Sequence, residues 1–425
     1  MVISLIGTVS CQSRSKGNEP GNDQNNDKPG TEVKEPEFAN KSDIKISKVI
    51  FFIENSGSML GYVTRPNEFM NSIVSLSRLP GLDHSEKSFY FINGTSKPGK
   101  KSKISINYIG NDPEILKENL NPASFKTGDT RFSDLNMMFG IALDSVKDDR
   151  ISILISDCIY DVGEETDPLM ALKIETQKTQ QAFRMRLEAE DIQTVIIKAY
   201  SGFSGRYYFA SKKGSVDISE ATRPYYILLF GKNELLNNLL TEKKLSGRIE
   251  TPYEMARFLS PGDTPIPYQI VPSVNRKGDF RPDPGSTNRI TDASPLKGEF
   301  QFAIAADFNS LSFLPDDYLN SAENYSTSNP NFSIVSVEKI TKKIAGAEGT
   351  HLITVSTNRS PLGELKIVLK NSIPAWIAET NIDNEDQIDS SSTYGFKFLT
   401  GAISSAYEEK NSGKNLAAFK IIISR

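Results

Sequence analysis

The sequence predicts an α/β protein: a mostly parallel sheet with helices on both faces, followed by a β-rich, sandwich-like region. Three observations predict it. Apolar runs at 49–53, 151–155 and 225–230 have the length and the β-branched or aromatic content of strands buried on both faces. Between them lie segments whose apolar residues recur at helical spacing, and strands alternating with helices imply a mainly parallel sheet. Beyond about residue 245 the pattern changes to a succession of short strand-like runs.

Taken in order, the first strand is 49–53. Pro66 and Asn67 open a helix that turns Ile73, Val74 and Leu76 inward. Strands are expected at 88–93 and 104–109. A helix follows Ser133, read as its N-cap, with Leu135, Met138, Phe139 and Ala142 on one face. After the strand at 151–155, Asp167 and Pro168 form an N-cap and first-turn pair. They start a long helix carrying Leu172, Thr176, Thr179, Phe183 and Leu187 on one face. Next come a strand at 192–200, an inserted hairpin at 206–210, a last strand at 225–230 and its helix at 233–243. Alternation along the hairpin buries about half of Phe203, Tyr207 and Tyr208 and leaves the rest for contact.

The second region begins with a stretch, 261–297, so rich in Pro, Gly, Asp and Ser that it reads as loop. Strands are expected at 299–305, 332–337, 351–356, 364–369 and 417–424. One helix interrupts them, with Phe396, Leu399, Ile403 and Tyr407 on its apolar face. The expected division is a leader at 1–11, a tether at 12–43, the α/β domain at 44–245 and the β-rich domain at 246–425.

The chemistry gathers where strands end. Residues 46–59 read Ile-Ser-Lys-Val-Ile-Phe-Phe-Ile-Glu-Asn-Ser-Gly-Ser-Met, so a buried strand stops in Glu54, Ser56 and Ser58. A carboxylate and two hydroxyls at every second position direct oxygens to one point, which suits a hard divalent cation. Residues 127–135, Thr-Gly-Asp-Thr-Arg-Phe-Ser-Asp-Leu, place Thr130 in a loop leading into a helix, and the strand 151–155 runs through Ser156 into Asp157. In this order the three segments resemble the von Willebrand factor A-like domain, a Rossmann-type α/β fold, and its metal-ion-dependent adhesion site. Glu54 stands where that family has aspartate; Ser56, Ser58, Thr130 and Asp157 match its ligand positions.

The resemblance implies Mg²⁺ or Mn²⁺ held by Glu54, Ser56, Ser58, Thr130 and Asp157, directly or through water, with an acidic group of a protein partner completing the octahedron. The extra methylene of Glu54 leaves open a site that coordinates through a rearranged loop, one that binds through water, and a metal-free scaffold that keeps only the fold. Asp129 and Asp161 lie near these loops and read as turn residues. A cation-dependent hydrolase is the third reading. No phosphate loop, nucleophile elbow or His-Glu-x-x-His segment occurs, so a binding or assembly module is expected rather than an enzyme.

Composition narrows the setting. A net charge of −4 over 425 residues gives no attraction to nucleic acid, and the basic run at 97–103 lacks interleaved aromatics for base stacking. Two His and two Cys exclude a disulfide framework and a Cys/His zinc site. Cys158 reads as a small buried apolar residue. Cys11 follows the apolar Met-Val-Ile-Ser-Leu-Ile-Gly-Thr-Val-Ser and precedes a polar stretch poor in core-forming residues. The pattern resembles a bacterial lipoprotein, which implies lipidation of Cys11, a tether, and a cell-envelope location with the lipid as the only membrane contact.

Overall fold

The apolar residues of the first strand are buried on both of its faces, and this decides the architecture. In β1 (Lys48–Glu54), Val49, Phe51 and Ile53 enter one core and Phe52 enters another on the opposite face. Such a strand needs cover on both sides. The computed structural model describes residues 45–94, 104–131, 133–162, 167–260, 266–312, 314, 316–411 and 415–425. After β1 come α1 (Glu68–Leu76), β2 (Glu86–Gly94), β3 (Ile104–Gly110), α2 (Pro113–Asn119), α3 (Leu135–Asp144), β4 (Arg150–Ser156) and α4 (Pro168–Ala189). Then follow β5 (Gln193–Tyr208), β6 (Ser215–Gly231), α5 (Asn233–Leu239), α6 (Glu242–Leu245) and β7 (Glu254–Phe258).

These strands form one seven-stranded sheet in the order β3-β2-β1-β4-β6-β5-β7. The sheet is mixed. Only β2-β1-β4 pair in parallel; β3, β6, β5 and β7 join antiparallel to their neighbours. The expected mostly parallel sheet is therefore confined to its centre. On one side a long hairpin intervenes: the segments read as a strand at 192–200, an inserted hairpin and a strand at 225–230 are the continuous strands β5 and β6, paired from Gln193–Gly231 out to Tyr208–Ser215. A two-strand hairpin returns antiparallel by necessity.

Capping follows the sequence where short polar side chains are available. Asn67 accepts from Met70 N to start α1, and Asp167 accepts from Met170 N to start α4, with Pro168 in the first turn. At α3 the cap is Asp134, which accepts from Met137 N, and not Ser133. One face of the sheet is covered by α1, α2 and α5, which contribute Phe69, Ile73, Leu116 and Leu236 to its core. The other is covered by α3 and α4 with Met138, Phe139, Leu172 and Phe183.

The remaining strands are β8 (Tyr268–Val271), β9 (Asp279–Pro282), β10 (Arg289–Ser294), β11 (Phe300–Ala306), β12 (Tyr325–Thr327), β13 (Phe332–Lys339), β14 (His351–Thr357) and β15 (Gly363–Leu369), with α7 (Asp316–Asn320) between β11 and β12. They are followed by α8 (Trp376–Thr380), β16 (Asn381–Ile382), β17 (Thr393–Tyr394), α9 (Phe396–Asn411) and β18 (Ala417–Ile423). A five-stranded sheet, β12-β15-β18-β10-β9, and a four-stranded sheet, β13-β14-β11-β8, share a core of Phe300, Phe302, Ile353, Ile367, Phe419 and Ile421. This is the sandwich-like region. Three of its strands, β8, β9 and β10, lie in the stretch read as loop, because four to six residues rich in turn formers give too short a period to register.

Residues Ile44–Arg425 form one compact unit. Beyond residue 245, β7 joins the seven-stranded sheet, and Trp376 and Ile377 of α8, Tyr394 of β17 and helix α9 pack onto it. β7 pairs with β5, and α9 packs Phe396, Leu399, Ile403 and Tyr407 into the same core as α4 and Phe258. The Tyr226 and Phe396 rings stack at 4.3 Å. Burying Leu399 and Ile403 there contributes about 1.5–3 kcal/mol each. Among the described residues no helix is long and apolar enough to cross a membrane.

Candidate functional site

Parallel pairing sets the site. β1 and β4 are adjacent with Ile53 level with Ile155, so the two strands stop side by side at the C-terminal edge, where sheets of this type hold ligands. Glu54 ends β1, and Asp157 follows the last residue of β4. Both are buried, at 1% and 4% exposure. The loop after Glu54 is fastened to the 125–130 segment by three bonds. Asn55 Nδ2 donates to Phe125 O at 3.0 Å and to Thr127 O at 2.7 Å, and Gly57 N donates to Thr130 O at 2.7 Å. Segments more than 70 residues apart are thereby brought to one place.

Ser56 and Ser58 hydroxyls lie 3.1 Å apart. With Thr130, Ser133, Asp157 and Tyr208 they line a cleft of about 350 Å³, to which Arg131 and Phe209 also contribute. Asp129 pairs with Arg131 at 2.7 Å, and the guanidinium holds its carboxyl below the ordinary value. Asp161 lines the cleft itself. Gly57 is required by close approach. A Cβ there would lie 2.9 Å from Cε2 of Tyr208, whose ring therefore stands directly on the loop.

Two buried carboxylates at one edge repel each other. Burial first, and then the charge of Asp157, push the Glu54 carboxyl from 4.5 up to about 7. Burial also raises Asp157, while the Ser58 hydroxyl, the Ile159 amide (3.3 Å to Oδ1) and the positive charge of Arg223 pull it back. Glu54 Oε2 accepts from the Ser156 hydroxyl at 2.5 Å, and Ser156 Oγ in turn accepts from Cys158 N at 2.8 Å. That last bond steadies Cys158 at φ 52°, a left-handed backbone unusual outside glycine. Burial and the two carboxylates push the Cys158 thiol well up, so it stays protonated.

The donor set fits a hard divalent cation. Glu54 Oε1 is buried without a hydrogen bond of good geometry, although the Ser133 and Ser56 hydroxyls lie near enough to favour its charge. Asn55 Oδ1 is likewise buried and unpartnered, on a side chain whose amide nitrogen is turned to Phe125 O and Thr127 O. Carboxylate, amide and hydroxyl oxygens are the ligands Mg²⁺ and Mn²⁺ take, and a cation offsets the repulsion that raises both carboxyls. Among the described residues no group of three or more His, Cys, Asp and Glu converges as a metal site. A cation here would depend on the hydroxyls.

The structure thus brings Glu54, Ser56, Ser58, Thr130 and Asp157 together; Cys11 lies outside the described residues. Sequence reasoning did not single out Ser156, Phe209 or Arg223, and it read Ser133 only as a helix cap and Tyr208 only as a hairpin aromatic. Ser156 engages Glu54, Ser133 lines the cleft, and Tyr208 with Phe209 forms its wall. Arg223, 2% exposed, lies beneath that wall with its guanidinium 5.0 Å from the Tyr207 ring and 5.6 Å from Phe203. Phe203 and Tyr207 are buried, in the cores on opposite faces of the sheet, and Tyr208 is 47% exposed; the register shift between Phe203 and Gly205 interrupts the expected alternation. No protein-family model matches the chain, and no curated protein matches it.

Proposed function

We propose that this chain is a binding or assembly module of the cell envelope. Glu54, Ser56, Ser58, Thr130 and Asp157 take Mg²⁺ or Mn²⁺, and the cation receives an acidic side chain from a protein partner. One observation carries the reading. Asp157 and the Ser56 and Ser58 hydroxyls line a cleft, and the buried Glu54 carboxylate, one oxygen of it unpartnered, lies behind them at the end of the neighbouring strand. A cation held by two carboxylates and neutral hydroxyls keeps electrophilic character toward a further carboxylate. The von Willebrand A-like resemblance of the three segments supports the same reading, as does their convergence at one sheet edge.

Calorimetric titration tests it. Mg²⁺ or Mn²⁺ should bind wild type, and Ser56→Ala should weaken binding by roughly tenfold or more, since an octahedral ion then lacks an oxygen. Glu54→Asp should tighten binding if the longer side chain strains the loop. One observation favours a second reading, a metal-free scaffold: Ser156 already holds one oxygen of Glu54, and a carboxyl raised to about 7 is half protonated at neutral pH. Binding by Glu54→Asp but not by wild type selects that reading, and silence from all three proteins rejects the cation site. A lipid on Cys11 would provide the envelope anchor, with further affinity for the membrane surface needed for firm attachment if only one chain were added. Mass spectrometry of the native N-terminus should find Cys11 lipidated; an unmodified peptide spanning Ser10 to Arg14 in membrane-extracted protein removes the anchor.

A further inference from the structure

The cleft wall is held from a distant part of the chain. Glu385, in the short turn Glu385–Gln387 between β16 and β17, is 2% exposed. Its carboxylate accepts four hydrogen bonds. Oε1 takes Tyr207 Oη and Ala210 N, both at 2.8 Å; Oε2 takes Ser211 N at 2.8 Å and Ser211 Oγ at 2.6 Å. The donors bracket Tyr208 and Phe209 on both sides, so one anion fixes the aromatic wall. Charge-assisted bonds of this kind are about twice as strong as neutral ones.

The same segment grips the site twice more. Tyr160 N donates to Tyr394 O at 3.1 Å, tying down the loop that follows Asp157. Arg223 donates to Asp389 O at 3.2 Å and to Ser392 O at 3.4 Å. The wall in turn touches the ligand loop, because Tyr208 stands on Gly57 between Ser56 and Ser58. A buried acid satisfied by neutral donors could serve folding alone. Here every donor directly flanks the wall.

We propose that Glu385 is a positioning residue of the cleft: it fixes the Tyr208–Phe209 wall over the Ser56–Ser58 loop and makes the C-terminal segment a working part of the site. The link from wall to loop stands on geometry. Its effect on cation affinity rests on the function proposed above.

Hydrogen–deuterium exchange and Mn²⁺ titration of the full chain test it with Glu385→Gln, which keeps the side-chain volume but turns an acceptor into a donor facing donors. Amides of 207–212 should exchange roughly tenfold faster or more, with faster exchange also at 55–59. Mn²⁺ should bind roughly three- to thirtyfold more weakly. Ile367→Ala, in the core of the sandwich, serves as a destabilised control and should leave both readouts unchanged under conditions of local opening. If Glu385→Gln fails to fold, Ser211→Ala removes a single donor and should move both readouts the same way by less. Unchanged exchange at 207–212 or at 55–59 overturns the proposal, and so does faster exchange with unaltered Mn²⁺ affinity. A wild type that takes no Mn²⁺ rejects the cation site instead, and the exchange data then decide the wall–loop link alone.

Discussion

The metal-free protein should lose stability as pH rises through the range where most proteins are steady, and Glu54 is the reason. Its carboxyl lies at about 7 in the folded chain against an ordinary 4.5. The folded state therefore holds a proton that the unfolded state releases. The stabilisation is complete below 4.5, declines as pH rises, and is gone above about 7. At ~1.4 kcal/mol per pH unit the interval is worth about 3 kcal/mol. Asp157, also raised, adds a loss of the same sign. His351 is lowered by burial and acts oppositely, favouring the folded state as pH climbs. Glu54→Gln separates the carboxylate effect from that of His351, because it removes the Glu54 proton together with the repulsion between Glu54 and Asp157. Urea unfolding in EDTA at pH 5, 6, 7 and 8 should give wild type a falling profile and Glu54→Gln a flatter one, with the variant more stable at pH 8. Saturating Mg²⁺ should restore wild type at pH 8 by about 3 kcal/mol at a hundredfold excess over Kd, and leave Glu54→Gln unmoved. Equal slopes for the two proteins in EDTA would refute the argument that Glu54 is buried beside a second negative charge.

Two further outcomes follow from packing. Gly61→Ala would place a Cβ within 2.3 Å of the Phe203 ring and should cost about 1–3 kcal/mol in chemical denaturation; Gly401→Ala, in α9 with nothing within 4 Å, should instead gain about 0.5–1 kcal/mol. Ile403→Ala should cost about 2–5 kcal/mol and speed exchange in α4 as well as α9, because both helices feed one core; a loss confined to the sandwich would separate α9 from that core.

Much of the first half was legible because its strands are buried on both faces and its helices carry amphipathic stripes and caps. The runs 49–53 and 151–155 could hardly be anything but central strands, and parallel pairing of β1 with β4 follows from the helices between them. Direction beyond β4 was not legible. The segments at 192–200 and 225–230 read as separate strands because Gly202, Gly205 and Gly214 break the apolar pattern between them. In the structure these glycines lie within or at the turn of one hairpin, and a register shift falls between Phe203 and Gly205. Glycine in a strand marks an irregularity as readily as an end. The helix at 396–411 was legible from its period, but its partner was not. An apolar stripe states that something must cover it and not which sheet does so.

The candidate site divides in the same way. Residues placed by strand ends were visible, since the end of a buried strand at the C-terminal edge is a position that sequence can locate. Glu54, Ser56, Ser58 and Asp157 are of this kind. What surrounds them is fixed by tertiary contact and leaves no local mark. Glu385 sits in Asn384-Glu385-Asp386, which as sequence is a solvated acidic turn, and Asp386 is indeed an exposed partner of Lys212. Only the hairpin's exposed amides turn its neighbour into a buried anchor. Arg223 likewise reads as an ordinary strand cation, yet it lies inside the fold with backbone carbonyls and aromatic faces as partners. A buried charge needs such partners already in place. The cleft is consequently a joint product of two distant stretches: the strand ends bring the carboxylates and hydroxyls, and the C-terminal segment decides the wall against which any ligand must fit.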